Sequence, residues 1–181
     1  MLRLSIPRSV LALALMGAGT ATAVADADMD PLIAQARSAA PASVSDNATI
    51  VVGGKVVVEG DNGWTCMPNT MPGDTAPVCI DAVWGEMMQA MGKKAPYKAT
   101  KVGISYMLQG DTGGSGASNS DPFHPDPQSA DDYVETGPHL MIIVPKNLLE
   151  GMTDDPSTGG PYVMWGDTDY AHIMVPVADK E

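Results

Sequence analysis

Residues 170–177 read YAHIMVPV and residues 137–145 read GPHLMIIVP, two apolar runs that repeat one His-x-Met pattern. Side chains two apart on an extended chain share a face, so the runs predict two core strands, with His139 beside Met141 and His172 beside Met174. PYVMW, residues 161–165, stands only four residues before the last run and predicts a hairpin closed by Gly166–Asp169. A four-residue loop there sets Val163 opposite His172 and gathers Trp165, Tyr170, His172 and Met174 on one face.

Working outward, VGISYMLQ (102–109) reads as another strand, and TIVVGGKVVVEG (49–60) as a hairpin turning at Gly53-Gly54. From Ile80 the spacing becomes helical. Ile80, Trp84, Met87, Met88 and Met91 fall on one face, and Gly92, Lys93 and Lys94 mark the end. Asp30-Pro31 before LIAQARSAA starts a short, weakly apolar helix expected only to lean on the body, with Pro41 stopping it. The stretch DNGWTCMPNTMPGDTAPVC (61–79) is rich in turn residues and holds both cysteines. The expected class is α+β: a mainly antiparallel sheet with one packed amphipathic helix and a loop pinned by a Cys66–Cys79 disulfide.

The chain opens MLRLSIPRSVLALALMGAGTATAVADAD, with Arg3 and Arg8 before an apolar run from Val10 to Met16 and then small residues. This is the pattern of a secretory signal peptide, with cleavage after Ala23 or, as preferred here, after Ala25. Removing 25 of the 181 residues leaves a single exported domain, 26–181, of 156 residues. Two of the ten basic residues and no acidic ones leave with the signal, so the net charge moves from −12 to −14. That charge excludes nucleic acid and anionic lipid surfaces as partners, and no later stretch is long and apolar enough to insert in a membrane. The expected location is the bacterial periplasm, an oxidising compartment that suits the disulfide.

Taken together, NGWTCMPN, PVCIDAVW, GISYMLQGD, GASNSDP, GPHLMIIVP, GGPYVMW and YAHIMVPV resemble a group of hypothetical exported bacterial proteins that share this series of motifs. The resemblance covers nearly all of the chain after the signal. It implies one intact domain and carries no mechanism.

Three sites are in play. The first is a ligand cleft near His139, His172, Trp165 and Tyr170, roofed by the Gly-rich loop GDTGGSGASNSDPFHPDP (110–127), whose ligand would be a small molecule or an envelope protein. The second is copper, through His139/Met141 and His172/Met174, because thioethers favour Cu(I) and imidazole accepts either oxidation state. Against it, eleven methionines but one phenylalanine and five leucines follow the signal, so Met is expected as the general core filler. The third is calcium, held by Asp111, Asn119, Asp121, Asp126, Asp131 and Asp132, without EF-hand spacing. No cofactor is otherwise expected, and His124, between prolines, is expected to be solvated.

GDTGGSG is similar to the GDSGG around the nucleophile of chymotrypsin-like proteases, but Thr112 replaces the serine and the Ala-His pair follows the motif instead of preceding it. The leading expectation is therefore an exported binding or interaction protein. The alternatives are a small periplasmic hydrolase pairing His139 or His172 with a loop carboxylate, and a purely structural envelope protein.

Overall fold

A computed structural model describes residues 29–71 and 74–179. The proposed signal segment, 1–25, lies outside the described residues. Among those residues no helix is long and apolar enough to cross a membrane.

The strands are β1 (Thr49–Val52), β2 (Lys55–Val58), β3 (Thr65–Met67), β4 (Val78–Ile80), β5 (Gly103–Met107), β6 (Ala117–Ser118), β7 (Tyr133–Val134), β8 (His139–Ile143), β9 (Tyr162–Met164) and β10 (His172–Pro176). The helices are α1 (Met29–Arg37), α2 (Ala42–Ser45) and α3 (Ala82–Gly92). Eight strands form one sheet in the order β2-β1-β3-β4-β5-β8-β10-β9, and β6 pairs with β7 apart from it. Every pairing in the large sheet is antiparallel except β1 with β3. The β1–β2 turn is made by Gly53 and Gly54 at φ 57° and 76°, a left-handed pair that side chains with a Cβ resist.

The sheet buries both faces. On β4, Val78 and Ile80 point to one core while Cys79 between them points to the other. The first core holds Trp84 and Met87 from α3 against β5, β8, β9 and β10. Gly103 lets α3 lie this close, since a Cβ there would sit 2.9 Å from Val83. Asp81 locks the helix start. Its carboxylate accepts from Trp84 N at 2.8 Å as an N-cap and from Ile104 N at 2.8 Å on β5.

On the other face α1 packs against β1, β3 and β4, and Ala36, Ala39, Ile50 and both cysteines are fully buried beneath it. The expectation of one packed helix therefore falls short: alanines let α1 approach so closely that little apolar bulk is required. The cysteine-bearing stretch, expected as a loop, also supplies two strands, β3 and β4. Cys66 and Cys79 are bonded as directly opposed residues of paired strands β3 and β4, so the disulfide ties two strands.

Candidate functional site

The buried positions of β5, β8 and β10 alternate with half-buried ones, as the sequence pattern requires. On the α3 side, Met107 is paired with His139, Met141 with Met174, and Met164 with His172. Both His-x-Met strands are thus neighbours with all four side chains on one face. Their antiparallel register puts the two methionines in the middle and one histidine at each end. The four side chains therefore do not close on a single point.

Above this face lies a cavity of about 500 Å³ whose walls include His139, His172 and Trp165. That volume is in the range of small-molecule sites. Helix α3 supplies Trp84, Met87, Met88 and Met91 to the wall, and the loop from Asp111 to Pro127 lies across the top. Exposed Met71, Lys94 and Phe123 stand at the rim. Eight of the thirteen methionines line the cavity, whereas the core beneath α1 contains none among the described residues. Methionine fills the core on the α3 side, as expected, where Met87, Met107, Met141, Met164 and Met174 are all buried, but not the core beneath α1. It is concentrated where flexible, polarisable walls meet a void.

The two histidines are held alike. His139 Nδ1 lies 2.7 Å from the Gly137 carbonyl, and His172 Nδ1 lies 3.0 Å from the Tyr170 carbonyl, each two residues back. A carbonyl only accepts, so each neutral ring carries its proton on Nδ1 and leaves a lone pair on Nε2. Burial holds both rings below the ordinary histidine value, His172 to about 4, against the pull of those carbonyls. Both are neutral at pH 7. His172 Nε2 is buried without a hydrogen-bond partner. Its ring stands edge-on between Trp84 and Trp165, with centroids at 5.1 Å and 5.0 Å.

Trp165 reaches that position through an unusual backbone. Its φ is 57°, and the final hairpin pairs Met164 with His172, not Val163. The expected register was one residue off because Trp165 leaves the strand in a left-handed turn, which swings its ring back over His172. The same residue fastens the roof: Trp165 N donates to Asn119 O at 2.7 Å, and Nε1 donates to Ser118 O at 2.8 Å.

Tyr170, expected in the cleft wall, is a buried post outside the lining. Its hydroxyl donates to Ala95 O at 2.7 Å, and its ring meets Phe123 edge-on. His124, expected in solvent, is half-buried and also lines the cavity, with its Nδ1 accepting from Asp126 N at 3.3 Å. The wall from α3 was partly foreshadowed by its apolar face, but nothing in the sequence located that face over the histidines.

Three of the loop acids, Asp111, Asp121 and Asp132, are engaged with their own chain, while Asp126 and Asp131 are exposed. Asp111 accepts from Thr136 N at 2.7 Å and Ser115 Oγ at 3.3 Å, Asp132 from Ser118 Oγ and Ser120 N, and Asp121 from Phe123 N. Among the described residues no three His, Cys, Asp or Glu side chains are grouped to hold a metal ion. Asp111 lies near His139, and burial raises its carboxyl above the usual range, opposed by the Thr136 amide, His139 and Ser115. Ser115 donates to that carboxylate, while His139 is engaged with a carbonyl, so the serine–histidine–carboxylate relay of a hydrolase is not assembled.

Comparisons with protein-family models, curated proteins and solved structures found no match.

Proposed function

We propose that this is an exported binding protein which takes a small, soft or apolar ligand into the methionine-lined cavity over β5, β8 and β10. The observation that carries it is a void of about 500 Å³ bounded by eight thioethers and two neutral imidazoles whose Nδ1 protons are already committed. An apolar cleft of this size with a few polar groups in its wall is the usual form of a small-molecule site. The polar loop, tied down through Trp165, covers one side of the site, as loops on a rigid sheet commonly do. Periplasmic export, carried by the N-terminal pattern and the resemblance to exported bacterial proteins, belongs to the same reading.

The hydrolase alternative has less behind it, since the Ser115 hydroxyl donates to the carboxylate and not to an imidazole. The test uses two readouts on protein exported with its own N-terminus: native mass spectrometry for a carried ligand, and uptake of the neutral dye N-phenyl-1-naphthylamine. Met88→Trp fills the cavity from α3 and is expected to abolish both. A bare chain mass together with no dye uptake by the wild-type protein overturns the reading.

A further inference from the structure

We infer that the floor of this cavity is a site for a soft monovalent cation, Cu(I) or Ag(I), bound by His172 Nε2 and the thioethers of Met164 and Met174, with Met87 descending from α3. The inference rests on the cavity being a binding site and names its ligand.

Among the described residues three buried side-chain atoms have no hydrogen-bond partner, Ser105 Oγ, Asn119 Oδ1 and His172 Nε2, and of these residues only His172 lines the cavity. His172 is fully buried, its Nδ1 is spent on Tyr170 O, and its Nε2 has no partner. A buried acceptor of this kind is normally satisfied. A water would need two to four polar partners, and the neighbours here are two indole rings and thioethers, none of which supplies that number. What these neighbours do offer is electron pairs. Met164 is the cross-strand partner of His172, and Met174 follows two residues later on the same face. Met87 packs into the same cluster from above.

Nitrogen and thioether donors choose the metal. Hard cations require oxygen ligands, and zinc prefers thiolate or several histidines and carboxylates; no such group exists among the described residues. Thioether with neutral imidazole suits Cu(I) and its congener Ag(I). All the proposed donors are uncharged, so the bound ion keeps one positive charge, which costs far less to bury than two. Asp111 adds a carboxylate to the wall of the same cavity, at the His139 end. The backbone carbonyl behind His172 does what outer-shell partners of metal-bound histidines do: it fixes the tautomer and leaves Nε2 free to ligate. The remaining pair, Met141 and His139, extends the donor row along the face, giving an ion entering from the rim a succession of soft contacts.

Silver nitrate alone, in a chloride-free and thiol-free buffer, is a clean probe, because both cysteines are in the disulfide and no free thiol competes. The expected result is saturable binding of at least one ion per chain, with the ¹⁵N resonance of His172 Nε2 and the ε-methyl resonances of Met164 and Met174 shifting together. Met164→Leu combined with Met174→Leu keeps core volume and is expected to lower affinity by roughly two orders of magnitude. His172→Phe keeps the ring and is expected to do the same; the methionine pair keeps the test decisive should that variant fail to fold. The inference is overturned if silver moves only rim groups such as Met71 and His124, or if the double Leu variant binds unchanged. Dye uptake without silver binding sinks the metal and leaves the binding-protein reading standing; loss of both sinks the two together.

Discussion

Met141 and Met174 stand directly opposite one another on β8 and β10, midway between His139 and His172, on the face that looks into the cavity. Met174 is almost wholly buried and Met141 nearly so. Truncating either to Ala is expected to cost about 2–5 kcal/mol, nearer the low end because an existing void spares part of the cavity penalty. Met→Leu at the same positions should cost under about 1.5 kcal/mol. Urea unfolding of the four single variants checks this, and equal losses for Ala and Leu would contradict it.

Acid should loosen the protein through His172. Its folded value, about 4, lies below the ordinary 6.5, so the unfolded chain binds more protons between those limits. Stability from this group is complete above pH 6.5 and is lost as the pH falls towards 4, by roughly 3 kcal/mol in all. His139, also depressed, acts in the same direction. Asp111, raised by burial, acts oppositely and favours the folded state at low pH. His172→Phe should flatten the slope of stability between pH 6.5 and 4. A slope unchanged in that variant would assign it to other groups.

Asp81 joins the start of α3 to β5 through two hydrogen bonds, and α3 brings Trp84 to His172. Asp81→Ala should therefore cost about 1–2 kcal/mol and also disturb the site. Tryptophan fluorescence should change along with the unfolding midpoint. A stability loss with an unaltered spectrum would show that the cap does not position Trp84.

The indole N–H of Trp165 holds the roof at Ser118. Trp165→Phe keeps a ring over His172 but releases that bond, at a cost of about 1 kcal/mol, or ~2–4 °C in melting temperature. Limited proteolysis should then cut between residues 111 and 127 faster than in the wild type. Unchanged cleavage would mean the roof is held elsewhere.

Cys66 and Cys79 should carry no free thiol in exported protein labelled under denaturing conditions. Replacing both with Ala should remove about 3 kcal/mol, the contribution expected from closing a loop across a separation of 13 residues. Full labelling at both positions would refute the bond.

Much of the sheet was written locally. The runs at 49–58, 103–107, 139–143 and 172–176 announce extended chain through their apolar and β-branched content, and Gly53-Gly54 states its own turn, because strand propensity and turn chemistry depend on neighbours in the chain. The His-x-Met echo likewise put each pair on one face before any pairing was known. What patterning could not supply was who stands beside whom. That α1 would bury itself on alanines, that β3 and β4 would pair across the disulfide, and that Trp165 would turn left-handed and slip the hairpin by one residue are all outcomes of packing between distant segments. The site depends on the same kind of fact. Its methionines come from the loop before β4, from α3 and from four strands, and they become a cavity wall only when the sheet order sets β5, β8, β10 and β9 side by side under the helix. Sequence spacing records which face a side chain takes on its own element, whereas a binding site is made by faces of different elements meeting, and that is decided by tertiary packing alone.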